Sequence, residues 1–176
     1  ENIIFRKRLI GIGPISAEMC RKYGATGPVV RGSGVAYDVR KVEPYSGYPH
    51  FDFEIPVYPQ GDSMARYLVR MAEIEQSLRI IEQALDKLPD GPFMGKAPAR
   101  CLKLPPGDYC YAVEAARGRL AVRIVSDGKE FPYRVKLRTP CFSNLSLFEE
   151  ATQGMLIPDA LAVMGSLDLV IPDIDR

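Results

Sequence analysis

Gly61-Asp62-Ser63-Met64-Ala65-Arg66-Tyr67-Leu68-Val69-Arg70-Met71-Ala72-Glu73-Ile74-Glu75-Gln76-Ser77-Leu78-Arg79-Ile80-Ile81-Glu82-Gln83-Ala84-Leu85-Asp86-Lys87-Leu88 carries the longest unbroken period in the chain. Apolar residues fall at 64, 67, 68, 71, 74, 78, 81, 85 and 88, at intervals of three and four. That spacing lays them along one stripe of an α-helix of about seven turns. Asp62 supplies an N-cap, because its carboxylate can accept from the free amides of the first turn, and Pro89-Asp90-Gly91-Pro92 stops the helix after Leu88. Arg66, Arg70, Glu73, Glu75 and Glu82 mostly fall off the stripe. The expectation is a central strut against which other helices pack.

Working outward, the sixty residues before it are irregular and rich in turns. Ser16 caps a short helix over Ala17–Tyr23, ended by Gly24. Arg31-Gly32-Ser33-Gly34 is a loop whose glycines permit close backbone approach. Asp38 to Pro59 holds four prolines and five aromatics, a composition that resists regular structure and wraps over something. Beyond the helix, Pro89 to Gly107 is a linker with five prolines. Tyr109–Glu114 and Leu120–Ser126 then read as strands turning at Arg117-Gly118, and Asp127-Gly128 leads into an alternating third strand, Tyr133–Arg138. Together they predict a three-stranded antiparallel meander with Arg134, Lys136 and Arg138 on one face, ended by Pro140. Two short helices close the chain, one from Ser143 or Asn144 to Thr152, the other from Pro158-Asp159 to about Leu167. The class is therefore α+β, a single domain over 1–176.

Composition excludes more than it selects. The 176 residues are 47% hydrophobic and 26% charged, with a formal net charge of +1, so nothing in bulk charge favours nucleic acid or an anionic membrane. No apolar run reaches the roughly 18 residues that span a bilayer, so membrane contact is expected only through partners. The opening Glu1-Asn2-Ile3-Ile4-Phe5-Arg6 lacks the basic start and apolar stretch of a secretory signal, which favours the cytoplasm. Cys20, Cys101, Cys110 and Cys141 form no C-x-x-C pair and lie far from His50, the single histidine, so no metal site is expected.

Familiar catalytic motifs are also missing. Gly11-Ile12-Gly13-Pro14 lacks the third glycine of a dinucleotide fingerprint, and Pro14 removes an amide a phosphate would need. Arg31-Gly32-Ser33-Gly34 has no following Gly-Lys-Ser/Thr and is read as a turn, although an arginine beside two glycines can approach a cofactor. His50 has no acid–base partner nearby in sequence, and Ser33, Ser46, Ser63 and Ser166 occupy no nucleophile elbow. The Arg134, Lys136, Arg138 row is either a solvated sheet face or a dock for an acidic partner. The tail differs: Asp168, Asp173, Asp175 and Arg176 crowd among Val170, Ile171 and Ile174. Carboxylates interleaved with apolar residues indicate a partly buried segment whose charges need partners, unless the terminus is simply frayed.

Seven segments in order resemble the D-type subunit of the NADH-quinone oxidoreductase family, respiratory complex I. They are Glu1-Asn2-Ile3-Ile4-Phe5 with Gly11-Ile12-Gly13; Gly27-Pro28-Val29-Val30-Arg31-Gly32-Ser33-Gly34-Val35 with Asp38-Val39-Arg40; Pro44-Tyr45; Asp52-Phe53; Gly61-Asp62 leading into Arg66-Tyr67-Leu68-Val69-Arg70; Glu114-Ala115-Ala116-Arg117-Gly118 through Ser126-Asp127-Gly128; and Gly165-Ser166-Leu167-Asp168 with Asp173-Ile174-Asp175-Arg176. The resemblance covers the whole chain and corresponds to the C-terminal portion of the family's quinone-site subunit. It implies a fold like the large subunit of nickel-iron hydrogenases, with one long amphipathic helix, a small antiparallel meander and short C-terminal helices.

By that resemblance Val170 and Asp173 fall where hydrogenases place metal-ligating cysteines, so a nickel site is chemically excluded there. The vacated cavity would hold a quinone headgroup, lined or supported by Asp168, Val170 and Arg176, with Arg31 close by. Quinone is then a substrate, while NAD(H) and 4Fe-4S clusters belong to other subunits and this chain binds none. The implied partners are a small iron–sulfur subunit, the complex's C-type subunit and membrane-arm subunits, with the chain peripheral on the cytoplasmic side of the cell membrane. The family's quinone-ligating histidine and tyrosine lie in an N-terminal half not in this sequence, so no catalytic residue is assigned and the chain alone is expected to be inactive. The 89–107 linker is also shorter than in many members. The alternative is a non-catalytic scaffold of a hydrogenase-related membrane complex, docking through Asp38–Pro59; an ordered, pocket-facing tail separates the first reading from the second.

Overall fold

The computed structural model describes residues 2–95 and 103–175. Four helices precede the long one where the sequence suggested mostly irregular chain. Helix α1 (Ile3–Leu9) is capped by the Asn2 side chain, α2 (Ala17–Tyr23) by Ser16, and α3 (Pro28–Arg31) starts on a proline after Gly27. The Ser16 cap and the left-handed Gly24 end of α2 are as the sequence predicts. A single-turn helix α4 (Val39–Val42), capped by Asp38, and a 3-10 turn at Tyr48–His50 interrupt the proline-rich stretch.

Helix α5 (Ser63–Asp86) ends two residues short of Leu88, at a Lys87 cap. One Asp62 carboxylate oxygen accepts from Ala65 N at 2.8 Å, and the other accepts from Gly11 N at 2.8 Å, so the cap also fastens the chain after α1. Helices α1, α3 and α8 (Ile157–Leu167) pack against α5, as expected of a strut, but not along its apolar stripe. Only Met64 and Leu68 of that stripe are half-buried; the rest is exposed, from 38% at Tyr67 to 74% at Leu88. The buried positions are Ser63, Ala65, Arg66 and Val69, on its first two turns. Periodicity located an apolar face correctly, but the groups that α5 must satisfy inside this chain are its arginines.

The stretch Asp52–Glu54 is held to α5 by polar side chains. Gln83 accepts from Asp52 N at 2.8 Å and Gln76 accepts from Glu54 N at 2.9 Å. Phe53, between them, is 3% exposed, with the Arg40 and Lys41 cations over its ring.

The meander is β1 (Gly107–Ala115), β2 (Gly118–Ser126) and β3 (Arg134–Arg138), antiparallel in that order, with Tyr111 opposite Val122 and Val122 opposite Leu137. Arg134, Lys136 and Arg138 share a face, as alternation requires, and Tyr109, Tyr111, Val135 and Leu137 form an exposed apolar row on the other. The β1–β2 turn docks against the backbone at Thr26-Gly27. A Cβ on Gly118 would lie 2.5 Å from Thr26 Oγ1 and 2.7 Å from Gly27 N, at a φ of +127°. Gly118→Ala is therefore expected to destabilise by about 2–4 kcal/mol, read as a lower urea midpoint.

The predicted helix up to Thr152 is instead two, α6 (Pro140–Leu145) and α7 (Phe148–Thr152). Pro140 opens α6, as a proline can at a helix start. The break follows from Asn144, fully buried, whose side chain accepts from Thr26 N at 3.2 Å and donates to Thr26 O at 3.3 Å. Leu147, buried beside the break, joins the main core. Helices α8 (Ile157–Leu167) and α9 (Ile171–Ile174) complete the chain. The core gathers Ile15, Cys20, Val29, Leu147, Val163 and Leu167, between α2, α3, α7 and α8. A smaller cluster, Val39 with Ala112 and Ala121, seats α4 on the sheet.

Candidate functional site

Helix α8 ends in Gly165-Ser166-Leu167-Asp168. Val163 and Leu167 anchor it in the core, and Asp168 takes the left-handed conformation at φ 54°. Aspartate enters that region more readily than most residues. Arg117, in the β1–β2 turn, grips Asp168 twice: Nη2 donates to Oδ1 at 3.0 Å and Nε donates to the backbone carbonyl at 3.2 Å. From α5, Arg70 Nε lies 3.9 Å from Asp168 Oδ2, beyond hydrogen-bond length. That Nε is buried without a hydrogen-bond partner. Burial lowers the Arg70 pKa from its ordinary value, while Asp168 and Glu73 pull the other way.

Asp168 and Arg70 open on a cavity of about 440 Å³ whose walls include Phe5, Leu9, Tyr67 and Ser166. Phe5 and Tyr67 pack edge to face with centroids 4.9 Å apart. The site is thus an apolar, aromatic pocket with a carboxylate and an unsatisfied guanidinium N–H at one side.

Beneath it Arg66 is fully buried. It donates to Ser166 Oγ at 2.9 Å, Gly61 O at 2.7 Å, Gly13 O at 3.0 Å and Ser63 Oγ at 3.0 Å, tying α5 to α8 and to the loop after α1. Burial, with Arg70 nearby, brings its guanidinium down to about 10.

Arg31 does not line that cavity. It is 1% exposed at the centre of an ion cluster. Its Nε bonds the Glu73 carboxylate, and its Nη1 donates to Glu114 Oε1 at 2.9 Å and Tyr37 O at 2.8 Å, with Asp38 Oδ2 at 3.8 Å. Arg40 forks onto Asp38 at 2.9 and 2.6 Å. Glu73 lies one turn beyond Arg70 on α5, so the cluster is joined electrostatically to the Asp168 site through that helix. Burial would raise the Asp38 carboxyl, but the bonds from Arg40, with Arg31 nearby, hold it below its usual range. Burial raises Glu114 above its own range against the pull of Arg31.

Val170 caps α9 and is half-buried, beside a smaller cavity of about 220 Å³ shared with Arg117, Pro140 and Asp173. The tail is fastened there: Thr139 Oγ1 donates to the Asp173 carbonyl, and Asp173 Oδ2 accepts from Cys141 N at 3.1 Å. Burial and Asp173 push the Cys141 thiol up to about 11. Of the sequence-derived site residues, Asp168 and Val170 are thus neighbours separated by Arg117, and Arg31 is reached through Glu73. Arg176 and Cys101 lie outside the described residues.

Sequence reasoning did not single out Arg117, Arg70, Phe5 or Tyr67 as site residues. Two arginines four apart and off the stripe, Arg66 and Arg70, were the available signal, since paired arginines on a helix face meant for packing need internal acceptors. Among the described residues no group of three or more His, Cys, Asp or Glu could hold a metal ion, and no helix is long and apolar enough to cross a membrane.

The sequence profile of the family described as respiratory-chain NADH dehydrogenase, 49 kDa subunit, matches residues 1–103 and 96–176, the two stretches meeting inside the proline-rich linker. The chain is 72% identical over all 176 residues to the second D-type subunit of the NADH-quinone oxidoreductase of Opitutus terrae, covering 44% of that protein. It is 67% identical over its full length to the D-type subunit of the same enzyme from Desulfotalea psychrophila, covering 47%. It is 38% identical to the H-type subunit of the NAD(P)H-quinone oxidoreductase of a Synechococcus species, with 51% of that protein covered. The chain thus spans about half the length of the curated relatives it matches.

Proposed function

The chain belongs to the family of the 49 kDa subunit of respiratory-chain NADH dehydrogenase, and on that premise we propose that it is the C-terminal portion of a hydrogenase-like quinone-site subunit. The enzyme would be a membrane-associated NADH-quinone oxidoreductase in which electrons pass from a neighbouring subunit's iron–sulfur cluster to quinone, coupled to proton translocation. NAD(H) and the clusters belong to other subunits, and the chain sits peripherally on the cytoplasmic side through a small iron–sulfur subunit, the C-type subunit and membrane-arm partners.

The observation that carries this reading is the Asp168 carboxylate, held by Arg117 beside the unpartnered Arg70 Nε, at an aromatic-walled cavity of about 440 Å³. Reduction of a quinone to a quinol takes up two electrons and two protons. Charge developing on a ring oxygen is stabilised by a preorganised cation, which the Arg70 guanidinium at the cavity wall supplies. The Asp168 carboxylate can accept a hydrogen bond from the hydroxyl of the reduced ring and so orient it. The ordered tail, with Asp173 fastened to α6, favours this reading over a scaffold whose end frays. Within Asp38–Pro59, the stretch a scaffold would use for docking, Asp52 and Glu54 are bonded to α5 and Phe53 is buried.

Asp168→Asn in the assembled enzyme is expected to lower quinone reductase turnover at least about tenfold. Reduction of an artificial acceptor that takes electrons ahead of the quinone site should stay at the wild-type level, and the complex should keep its full set of subunits. Wild-type quinone turnover in Asp168→Asn and also in Arg70→Gln would remove both residues from the site.

A further inference from the structure

A second cavity, of about 340 Å³, opens between α2, the α2–α3 loop and the ends of β2 and β3. It shares no lining residue with the cavity at Asp168. Ala17, Cys20, Ala25, Val30 and Val35 make an apolar floor, and the charged residues lining it are Arg21, Arg119 and Arg138, with no aspartate or glutamate among them.

The guanidinium groups are incompletely satisfied. Arg138 spends its Nη donors on carbonyls, Gly24 O at 2.6 Å and Arg119 O at 3.0 Å, with Ser143 Oγ at 3.4 Å. Among the described residues no carboxylate lies within ion-pair distance of it. Arg119 reaches the exposed Glu43 through Nη2, at 3.1 and 3.2 Å, but its Nε is buried without a hydrogen-bond partner. Cavities of this size, apolar with a few convergent polar groups, are typical of small-ligand sites. Arg21, Thr26 and Tyr37 complete the lining around the apolar floor. A single carboxylate on an apolar body fits both halves.

We propose that this cavity binds a small aliphatic monocarboxylate, its head at the Arg119 and Arg138 guanidinium groups and its chain over Cys20, Ala25 and Val30. The site is independent of quinone binding at Asp168. It is tested on the full-length polypeptide by isothermal titration calorimetry with octanoate, and with octanamide as the uncharged isostere. Octanoate is expected to bind at least tenfold more tightly than octanamide. Arg119→Gln should remove most of that preference. Ala17→Phe, a change at the partly exposed first residue of α2 that fills the cavity, should abolish binding of both compounds while leaving the unfolding midpoint unchanged. No binding of octanoate at millimolar concentration, as when another part of the polypeptide already fills the cavity, overturns the proposal. So does equal affinity for the two compounds, or octanoate binding that Ala17→Phe leaves intact.

Discussion

Arg31→Ala is expected to lower the stability of the fold by about 3–5 kcal/mol, the cost of removing one partner from a buried ion pair. The substitution strips the shared cation from Glu73, Glu114 and Asp38 at once. Arg40 bonds only Asp38, so Glu73 and Glu114 lose their direct ion pairs and keep only through-space attraction to Arg70 and Arg40, Glu114 with a side chain 4% exposed. Urea denaturation of the wild type and the variant measures the loss. The loss should shrink as pH falls, because a protonated carboxyl no longer needs the arginine. Glu114 is the first to protonate, since burial already raises it. The double variant Arg31→Ala, Glu114→Gln should therefore recover part of the stability, giving a clear coupling energy in a double-mutant cycle. Additive effects would mean that the two side chains do not share the energy the geometry assigns them.

The same cluster sets opposite pH dependences in the wild type. Glu114, raised in the folded state, adds stability that is fully present below the usual glutamate range and lost as pH rises through its folded value. Asp38, lowered, adds stability present above the usual aspartate range and lost as pH falls through its depressed value. Acid unfolding of this region should follow Asp38, and Asp38→Asn should flatten the acid limb of the stability curve.

The second large effect concerns the outer face of α5. Ile74→Asp with Leu78→Asp should cost this 176-residue chain only about 1–2 kcal/mol, from helix propensity and like-charge pairs, because both side chains are more than half exposed. In a polypeptide of the relatives' full length, the pair should cost about 3–6 kcal/mol, the transfer energy of two covered aliphatic side chains. The difference comes from apolar area. Tyr67, Met71, Ile74, Leu78, Ile81 and Leu85 form a continuous apolar row along a 24-residue helix, and α1 adds the exposed Ile3 and Ile4. A row of that length is larger than the apolar patches monomers leave in water, and the curated relatives are about twice as long as this chain. Denaturation midpoints of the two polypeptides, each with and without the substitutions, separate the cases. Equal and small losses in both would show that the stripe is solvated in the longer protein as well.

Sequence alone determined the elements that local chemistry controls. The long helix, its Asp62 cap, the Ser16 and Gly24 ends of α2 and the three-stranded meander all follow from period, capping and turn residues that act within a few positions. Family membership was legible too, because the ordered motifs run from the first residue to the last. Only the tertiary structure decided which face of α5 is buried, since an amphipathic period marks an apolar side without saying what covers it. It also decided the composition of the site. Arg117 and Asp168 meet across 51 positions, and Arg31 and Glu114 across 83. A charge far from its partner in sequence reads as a solvated one until folding removes the water and leaves the opposite charge as its only compensation.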